Sequence, residues 1–387
     1  MTRRIAADRY PDRMERARRE AATAGLDALL IGVGADLRYL TGYEALPLER
    51  LTLLVLPATQ GTPATLIAPR LEASPARECP AAAAGALEVS TWEETEDPMR
   101  LVADSLERPT RRSSASLSVA VSDGLRAAFV LGLQRVLPGA RFSLASTILR
   151  TLRMRKDRDE ITILRLAAQA ADRVLAAVAG GPLVGRAESD VAREVRDRLV
   201  AEGHDHAEFW IVASGPNSAS PHHDAGDRLI RAGEPIVIDI GGKLGGYGSD
   251  ITRTIWVAGP AGIGPDEGFR ALYAVLQEAQ AAATAAVRPG IPCEVIDAEA
   301  RRRITDAGFG PQFIHRTGHG IGLEGHEDPY LVAGNAELLA AGMAFSVEPG
   351  IYLEGRHGAR IEDIVVCGDD GPVVLNELPR DLAVVPG

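Results

Sequence analysis

The residues that could do chemistry cluster first in Pro235–Thr254, PIVIDIGGKLGGYGSDITRT. This stretch reads as a buried strand, a glycine-rich turn and a second strand. Asp239 follows the apolar run Pro235-Ile236-Val237-Ile238, and Asp250 opens the second strand. A carboxylate beside apolar strand residues is costly unless something pairs with it. Two carboxylates brought face to face by a hairpin repel by roughly 4 kcal/mol at about 4 Å and an effective dielectric near 20. Either one is protonated or a cation lies between them.

The same oddity recurs downstream. Met343–Val347 runs into Glu348, and Arg360-Ile361-Glu362-Asp363 leads into Ile364-Val365-Val366. Upstream of these lies HRTGHGIG, residues 315–322, followed by His326-Glu327. Glycines beside His319 let the backbone approach a bound species closely. Taken singly, an acid at a strand end is a turn or capping residue, and a histidine among glycines is structural. Together, four acids and one glycine-flanked histidine make a ligand inventory dominated by oxygen, which suits Mn²⁺ or a similar divalent ion better than a structural zinc. Four carboxylates balance the charge of two divalent ions, so the set points to a dinuclear hydrolytic centre.

The elements that must position these groups repeat in order. Ile161–Val178 reads as a long helix ended by Gly180-Gly181-Pro182, and Glu188–Ala201 as a second helix ended by Gly203. Then comes the acid-bearing hairpin. Asp266–Val287 and Cys293–Ala307 restart the pattern, ended by Pro289-Gly290 and Gly308, and strand-like segments follow again. This weak internal repeat predicts an active site between two similar halves. The charged LRTLRMRKDRDE, residues 149–160, reads as a helix entering this second domain. Residues 1–150 mix a helix over Met14–Ala24 and another over Gly124–Val136 with strands near 28–31, 51–56, 64–67 and 117–121. That is an α/β domain. It holds no phosphate loop and no cluster of acids, histidines or cysteines, so it is expected to be non-catalytic.

The set D-x-G…GY-x-SD-x-TRT, TGHGIG-x-x-x-HE, EPG-x-Y and R-x-ED resembles the pita-bread metallopeptidases, which include methionine aminopeptidase, Xaa-Pro aminopeptidase and prolidase. The resemblance runs from about Arg150 to the C-terminus. The preceding domain resembles the N-terminal domain of prolidases, Xaa-Pro aminopeptidases and creatinase, which methionine aminopeptidases lack. The implied architecture is α+β: a pita-bread domain with an internal pseudo-two-fold repeat over 151–387, after a smaller α/β creatinase/prolidase-type domain over 1–150. The implied metal ligands are Asp239, Asp250, His319, Glu348 and Glu362, with Asp250 and Glu362 bridging two divalent ions. Mn²⁺ is the first choice, with Co²⁺, Zn²⁺ or Fe²⁺ as alternatives. The resemblance makes Glu348 the general base, sets His222 on the leaving side of the scissile bond and has His326 contact the carbonyl. It has Arg360 tie down a ligand carboxylate and His315 line the pocket, and leaves His223 a bystander. Tyr247 and Arg253 read as structural. Arg316 stands where some relatives carry glycine; it either binds a substrate carboxylate or points away.

The implied activity is hydrolysis, by a metal-activated hydroxide, of the bond between an N-terminal residue and proline. The substrates are short peptides with proline in second position; dipeptidase and aminopeptidase are left open. Two other readings stand beside it: the same metal site acting on a non-peptide substrate, and a metal-free creatinase-like hydrolase or binding protein. The latter is disfavoured because all five matched positions are retained. A net charge of −11 and the lack of a basic run argue against nucleic acid. Three cysteines without metal or disulfide spacing favour a reducing compartment. No segment suits a bilayer and the charged N-terminus has no apolar signal core, so a cytoplasmic protein is expected. The family implies a homodimer.

Overall fold

The structure, a computed structural model, describes residues 4–110, 117–259 and 262–387. The chain forms two compact units, one over Ile5–Arg153 and one over Met154–Gly387.

The first unit runs α1 (Arg9–Thr23), β1 (Ala28–Gly32), α2 (Ala35–Thr41), β2 (Leu53–Pro57), β3 (Ala64–Pro69), α3 (Ala73–Glu78), α4 (Pro80–Ala83), β4 (Leu87–Trp92), α5 (Pro98–Thr110), β5 (Ser118–Val121), α6 (Ala127–Val136), β6 (Arg141–Leu144) and α7 (Ser146–Met154). Its sheet has the order β4-β3-β2-β1-β5-β6. β1 and β2 are buried along their whole length, as their unbroken apolar sequences demand. Leu30, Val55 and Val119 pack with Val102 and Leu106 of α5 and Leu133 of α6. β4 and β6 were not expected from sequence. Both are edge strands, and LEVSTW and RFSL are only partly buried, so neither carries the apolar run that marks the central strands.

The second unit holds α8 (Arg158–Ala179), α9 (Glu188–Ala201), β7 (His206–Ser214), β8 (Glu234–Leu244), β9 (Tyr247–Gly248), β10 (Ile251–Val257), α10 (Glu267–Ala286), α11 (Cys293–Asp306), β11 (Gly318–Gly320), β12 (Glu327–Leu331), β13 (Ala344–Val347), β14 (Gly350–Leu353), β15 (His357–Arg360), β16 (Asp363–Cys367), β17 (Pro372–Val374) and β18 (Ala383–Val385). One sheet has the order β18-β10-β8-β7, a second β12-β11-β13-β16-β17, and β14 and β15 form a two-stranded ribbon. The expected repeat is visible in the packing. Leu175 of α8 and Val195 of α9 pack on Val212, Ile238 and Ile255 of the first sheet. Leu276 of α10 and Ile296 of α11 pack on Phe345, Val347 and Val365 of the second.

Helix starts differ from the sequence reading at α1, which begins at Arg9 rather than Met14, at α6, at Ala127 rather than Gly124, and at α8, at Arg158 rather than Ile161; two further differences bear on the site. The segment 149–160 is not one helix: α7 ends at Met154, and Asp157 starts α8 with a capping box, accepting from the Asp159 and Glu160 amides while Glu160 accepts from the Asp157 amide. The strand bearing Asp239 does not stop at Gly241-Gly242 but continues to Leu244, so Asp239 lies mid-strand. The glycines read as a turn are there for close approach. A Cβ on Gly241 would lie 2.3 Å from the Ser249 carbonyl oxygen, and one on Gly242 2.6 Å from that of His206. The turn falls at Gly245-Gly246, both with positive φ.

Candidate metal centre and active site

Strand register sets the first pair of acids. Thr252 of β10 stands opposite Asp239 of β8. Asp250, two residues before Thr252, therefore projects from the same face of the sheet. The second pair is set by a hairpin base. Val347 pairs with Asp363, which leaves Glu348 and Glu362 at the two ends of the chain that enters and leaves the β14–β15 ribbon. His319 sits in β11, whose backbone is wedged between its neighbours. A Cβ on Gly318 would lie 1.9 Å from the Ser346 carbonyl oxygen and one on Gly320 2.1 Å from that of Asp328.

These five side chains line one cavity of about 720 Å³. Ligand atoms of Asp250, His319 and Glu362 lie within 4.8 Å of one another. His319 Nε2 is 3.3 Å from Glu348 Oε1 and 3.7 Å from Asp250 Oδ2. His319 Nδ1 donates to the Gly320 carbonyl at 3.1 Å, so the proton sits on Nδ1 and the Nε2 lone pair faces the carboxylates.

The charge balance is uncomfortable without a cation. Burial first, then the charges of Asp239 and Glu348, hold the Asp250 carboxyl well above the usual range. Burial and then Asp250, Glu348 and Asp239 do the same to Glu362. Burial raises Glu348 to about 7, with Arg360 opposing. Burial, with His326 adding, lowers His319 to about 3 and keeps it neutral. Asp239 Oδ1 is buried without a hydrogen-bond partner. A buried orphan carboxylate oxygen, a lone pair aimed among acids and an oxygen-rich donor set all fit divalent cations.

Arg360 organises the acids. It donates to Asp239 Oδ2 at 2.5 Å, to the Tyr352 hydroxyl at 2.8 Å and to Thr252 Oγ1 at 3.1 Å. Thr252 Oγ1 in turn donates to Glu362 Oε2 at 2.7 Å. Ser346 Oγ joins the other side, accepting from the His319 amide and donating to Glu348 Oε1. Sequence reasoning carried Thr252 and Tyr352 only as letters of the SD-x-TRT and EPG-x-Y motifs and gave no role to them or to Ser346, because a lone hydroxyl gives no signal until its partners are known.

The remaining expected residues divide. His326 lines the cavity, its ring 3.7 Å from that of His319, and burial followed by the Arg316 charge lowers its pKa. His222 lines the cavity from the segment after a short 3₁₀ turn, Gly215–Ala219, and is exposed. His315 lines the cavity too, but both ring nitrogens are engaged, Nδ1 with the Arg316 carbonyl and Nε2 with the Tyr352 hydroxyl. His223 does not line this cavity; its Nε2 donates to Glu188 Oε2 at 2.8 Å. It is an anchor for the segment that carries His222, a role that nothing in the local sequence announces. Tyr247 donates to Glu160, and Arg253 bonds Asp363 Oδ1 and several carbonyls, as structural residues do.

Residues 162–369 match the model of metallopeptidase family M24, and residues 13–155 that of the creatinase/prolidase N-terminal domain. The chain is 47% identical over 386 residues to the probable dipeptidase PepE of Mycobacterium tuberculosis, covering 100% of this chain and 99% of that one. It is 34% identical over 370 residues to the Xaa-Pro dipeptidase of Lactobacillus helveticus, covering 93% and 95%. The crystal structure of dipeptidase PepE from Mycobacterium ulcerans superposes with a TM-score of 0.91 at 44% identity, over 99% of this chain and 100% of that one. Similarity of this extent, together with a divalent-cation donor set between two helix-backed sheets, makes the chain a member of metallopeptidase family M24 with a creatinase/prolidase-type N-terminal domain.

Proposed function

We propose that this metallopeptidase hydrolyses the bond between the first residue and proline in short peptides, using two divalent ions, with Mn²⁺ preferred. The observation that carries the reading is the convergence of Asp239, Asp250, His319, Glu348 and Glu362 on one cavity, with an unpartnered oxygen on Asp239. Asp239, Asp250, His319, Glu348 and Glu362 would hold the ions. When bound, the ions supply Lewis acidity and a nucleophilic water of lowered pKa.

The chain's own groups do the rest. Glu348, held by Ser346, accepts a proton at its carboxylate and returns it toward the leaving nitrogen. His326 carries its proton on Nε2, because Arg316 can only donate and does so to Nδ1. That Nε2–H would donate to the oxygen on which charge develops. His222 faces the leaving side. Arg360 keeps Asp239 in its rotamer. Proline in second position has no N–H and a fixed ring; the apolar Phe209, Ile211 and Ile314 in the cavity wall suit such a ring. The relatives named above, a probable dipeptidase and an Xaa-Pro dipeptidase, support a short peptide substrate. The net charge of −11 argues against nucleic acid, and among the described residues no helix is long and apolar enough to cross a membrane. A cytoplasmic homodimer is the setting this reading gives, and sedimentation tests the oligomer.

The deciding experiment strips the protein of metal, reloads it with Mn²⁺, Co²⁺, Zn²⁺ or Fe²⁺, and assays Xaa-Pro dipeptides against matched dipeptides lacking proline. Hydrolysis that requires metal and favours proline is expected. A protein that binds metal but leaves the whole peptide panel intact refutes the proposal.

A further inference from the structure

We infer that Arg316 reads the free carboxylate of a dipeptide's second residue, and that this contact restricts the site to dipeptides; the inference rests on the peptidase reading above. Two arginines line the cavity, Arg316 and Arg360. Arg360 is committed to Asp239, Tyr352 and Thr252. Arg316 is not: among the described residues no carboxylate forms an ion pair with it. Its guanidinium lies over the Tyr330 ring at 4.4 Å and donates once, from Nη2 to His326 Nδ1 at 3.2 Å. A guanidinium has five N–H donors in a planar fork. Stacking fixes the plane of this one and leaves most of the fork unspent.

The spacing fits a dipeptide. His326 is the group placed to touch the scissile carbonyl, and Arg316 bonds His326 directly. In a dipeptide the carboxylate carbon follows the scissile carbonyl carbon by three bonds, so the two lie within about 4 Å of each other along the chain. A residue that contacts the carbonyl and its immediate neighbour can therefore meet both groups at once. Once the ligand acids are neutralised by bound cations, Arg316 is a positive charge in the cavity wall without an opposite partner. A carboxylate can take its fork in two parallel hydrogen bonds. A longer peptide offers a neutral amide at the same place and forgoes the charge-assisted pair.

The test compares one Xaa-Pro dipeptide with its C-terminal amide and with a tripeptide, on Mn²⁺-loaded wild type, Arg316→Gln, Arg316→Lys and Tyr330→Leu. Thermal melts confirm that each variant is folded. Wild type is expected to prefer the free dipeptide by roughly 10- to 100-fold in kcat/KM, the range of a charge-assisted hydrogen bond. Arg316→Gln should remove that preference, mainly through KM; any loss on the amide reports the bond to His326 Nδ1 and should be clearly smaller than the loss on the free dipeptide. Arg316→Lys should restore part of it, and Tyr330→Leu should weaken it by loosening the fork. Wild-type rates on dipeptide and amide within twofold of each other overturn the inference. So does an Arg316→Gln loss of equal size on both substrates, which would mean that Arg316 acts only through His326. If wild type cleaves none of the peptides with any ion loaded, the peptidase reading itself falls and takes this inference with it.

Discussion

Glu188 is the first residue of α9 and has no exposed surface. Its Oε1 accepts from the Ser214 amide at 2.7 Å and the Ser214 hydroxyl at 2.6 Å, and its Oε2 from Asn217 Nδ2 at 3.0 Å and His223 Nε2 at 2.8 Å. These donors lie before, within and after the 3₁₀ turn Gly215–Ala219 that delivers His222 to the cavity. Replacing Glu188 by alanine strands two fully buried donors on Ser214. At roughly 1–3 kcal/mol for each unsatisfied buried group, the loss is about 2–6 kcal/mol. The carboxylate also carries a pH signature. Burial pushes its pKa up, but hydrogen bonds from Ser214, His223 and Asn217 outweigh burial and the net shift is downward. An acid depressed in the folded state contributes stability that is present above its unfolded pKa and lost as pH falls through the folded one. Urea unfolding of the metal-loaded protein is the assay, run at pH 7 and at successive steps below the ordinary glutamate range. Glu188→Ala should lower the pH 7 stability by several kcal/mol at unchanged m and flatten the acid limb. Because the His222 segment loosens, kcat/KM should also fall, by about tenfold. A Glu188→Ala protein within 1 kcal/mol of wild type, with the same acid limb, refutes the reasoning.

Three further outcomes follow from the site and its surroundings. Glu348→Gln, at a metal content equal to wild type, should lower kcat by roughly 10²–10⁴-fold; near-normal turnover by the metal-loaded variant removes Glu348 as the base. Asp250 and Glu362 are held above their usual range and Glu348 at about 7, so the metal-free fold is favoured at low pH and loses stability as pH rises through those raised values. Metal binding should therefore release protons, and the stabilisation given by Mn²⁺ should grow from pH 6 to pH 8; calorimetry in buffers of different ionisation enthalpy that detects no proton release contradicts this. Lys156 Nζ donates to Glu327 Oε1 at 2.6 Å, and both side chains are buried. Lys156→Met should cost about 3–5 kcal/mol by leaving the carboxylate in place, while adding Glu327→Leu should recover much of it; equal losses in the single and double variants, read by urea unfolding, would show that the charge is not the cause.

The sequence by itself singled out the candidate ligands and set most of the helices. Asp239, Asp250, Glu348 and Glu362 stand out because an acid among buried apolar residues is expensive, and the expense is visible without coordinates. Helix limits were legible where local chemistry sets them: α9 spans the same Glu188–Ala201 that its periodicity and following glycine indicate, and Asp266 caps α10. Legibility failed where the deciding neighbour is distant. Gly241 and Gly242 look like a turn until Ser249 and His206 are seen pressing on them, and the edge strands β4 and β6 lack the burial that would mark them. Glu188, Lys156 and His223 look like ordinary polar residues, because their partners lie 26, 171 and 35 positions away. Which hydroxyl bonds which carboxylate, which histidine bonds Glu188 and which lines the cavity, and whether Arg316 lines it, are decided only by strand register and packing. Periodicity and burial cost are local properties of a chain, whereas the partner of a buried polar group is chosen by whichever sheet or helix the fold lays against it.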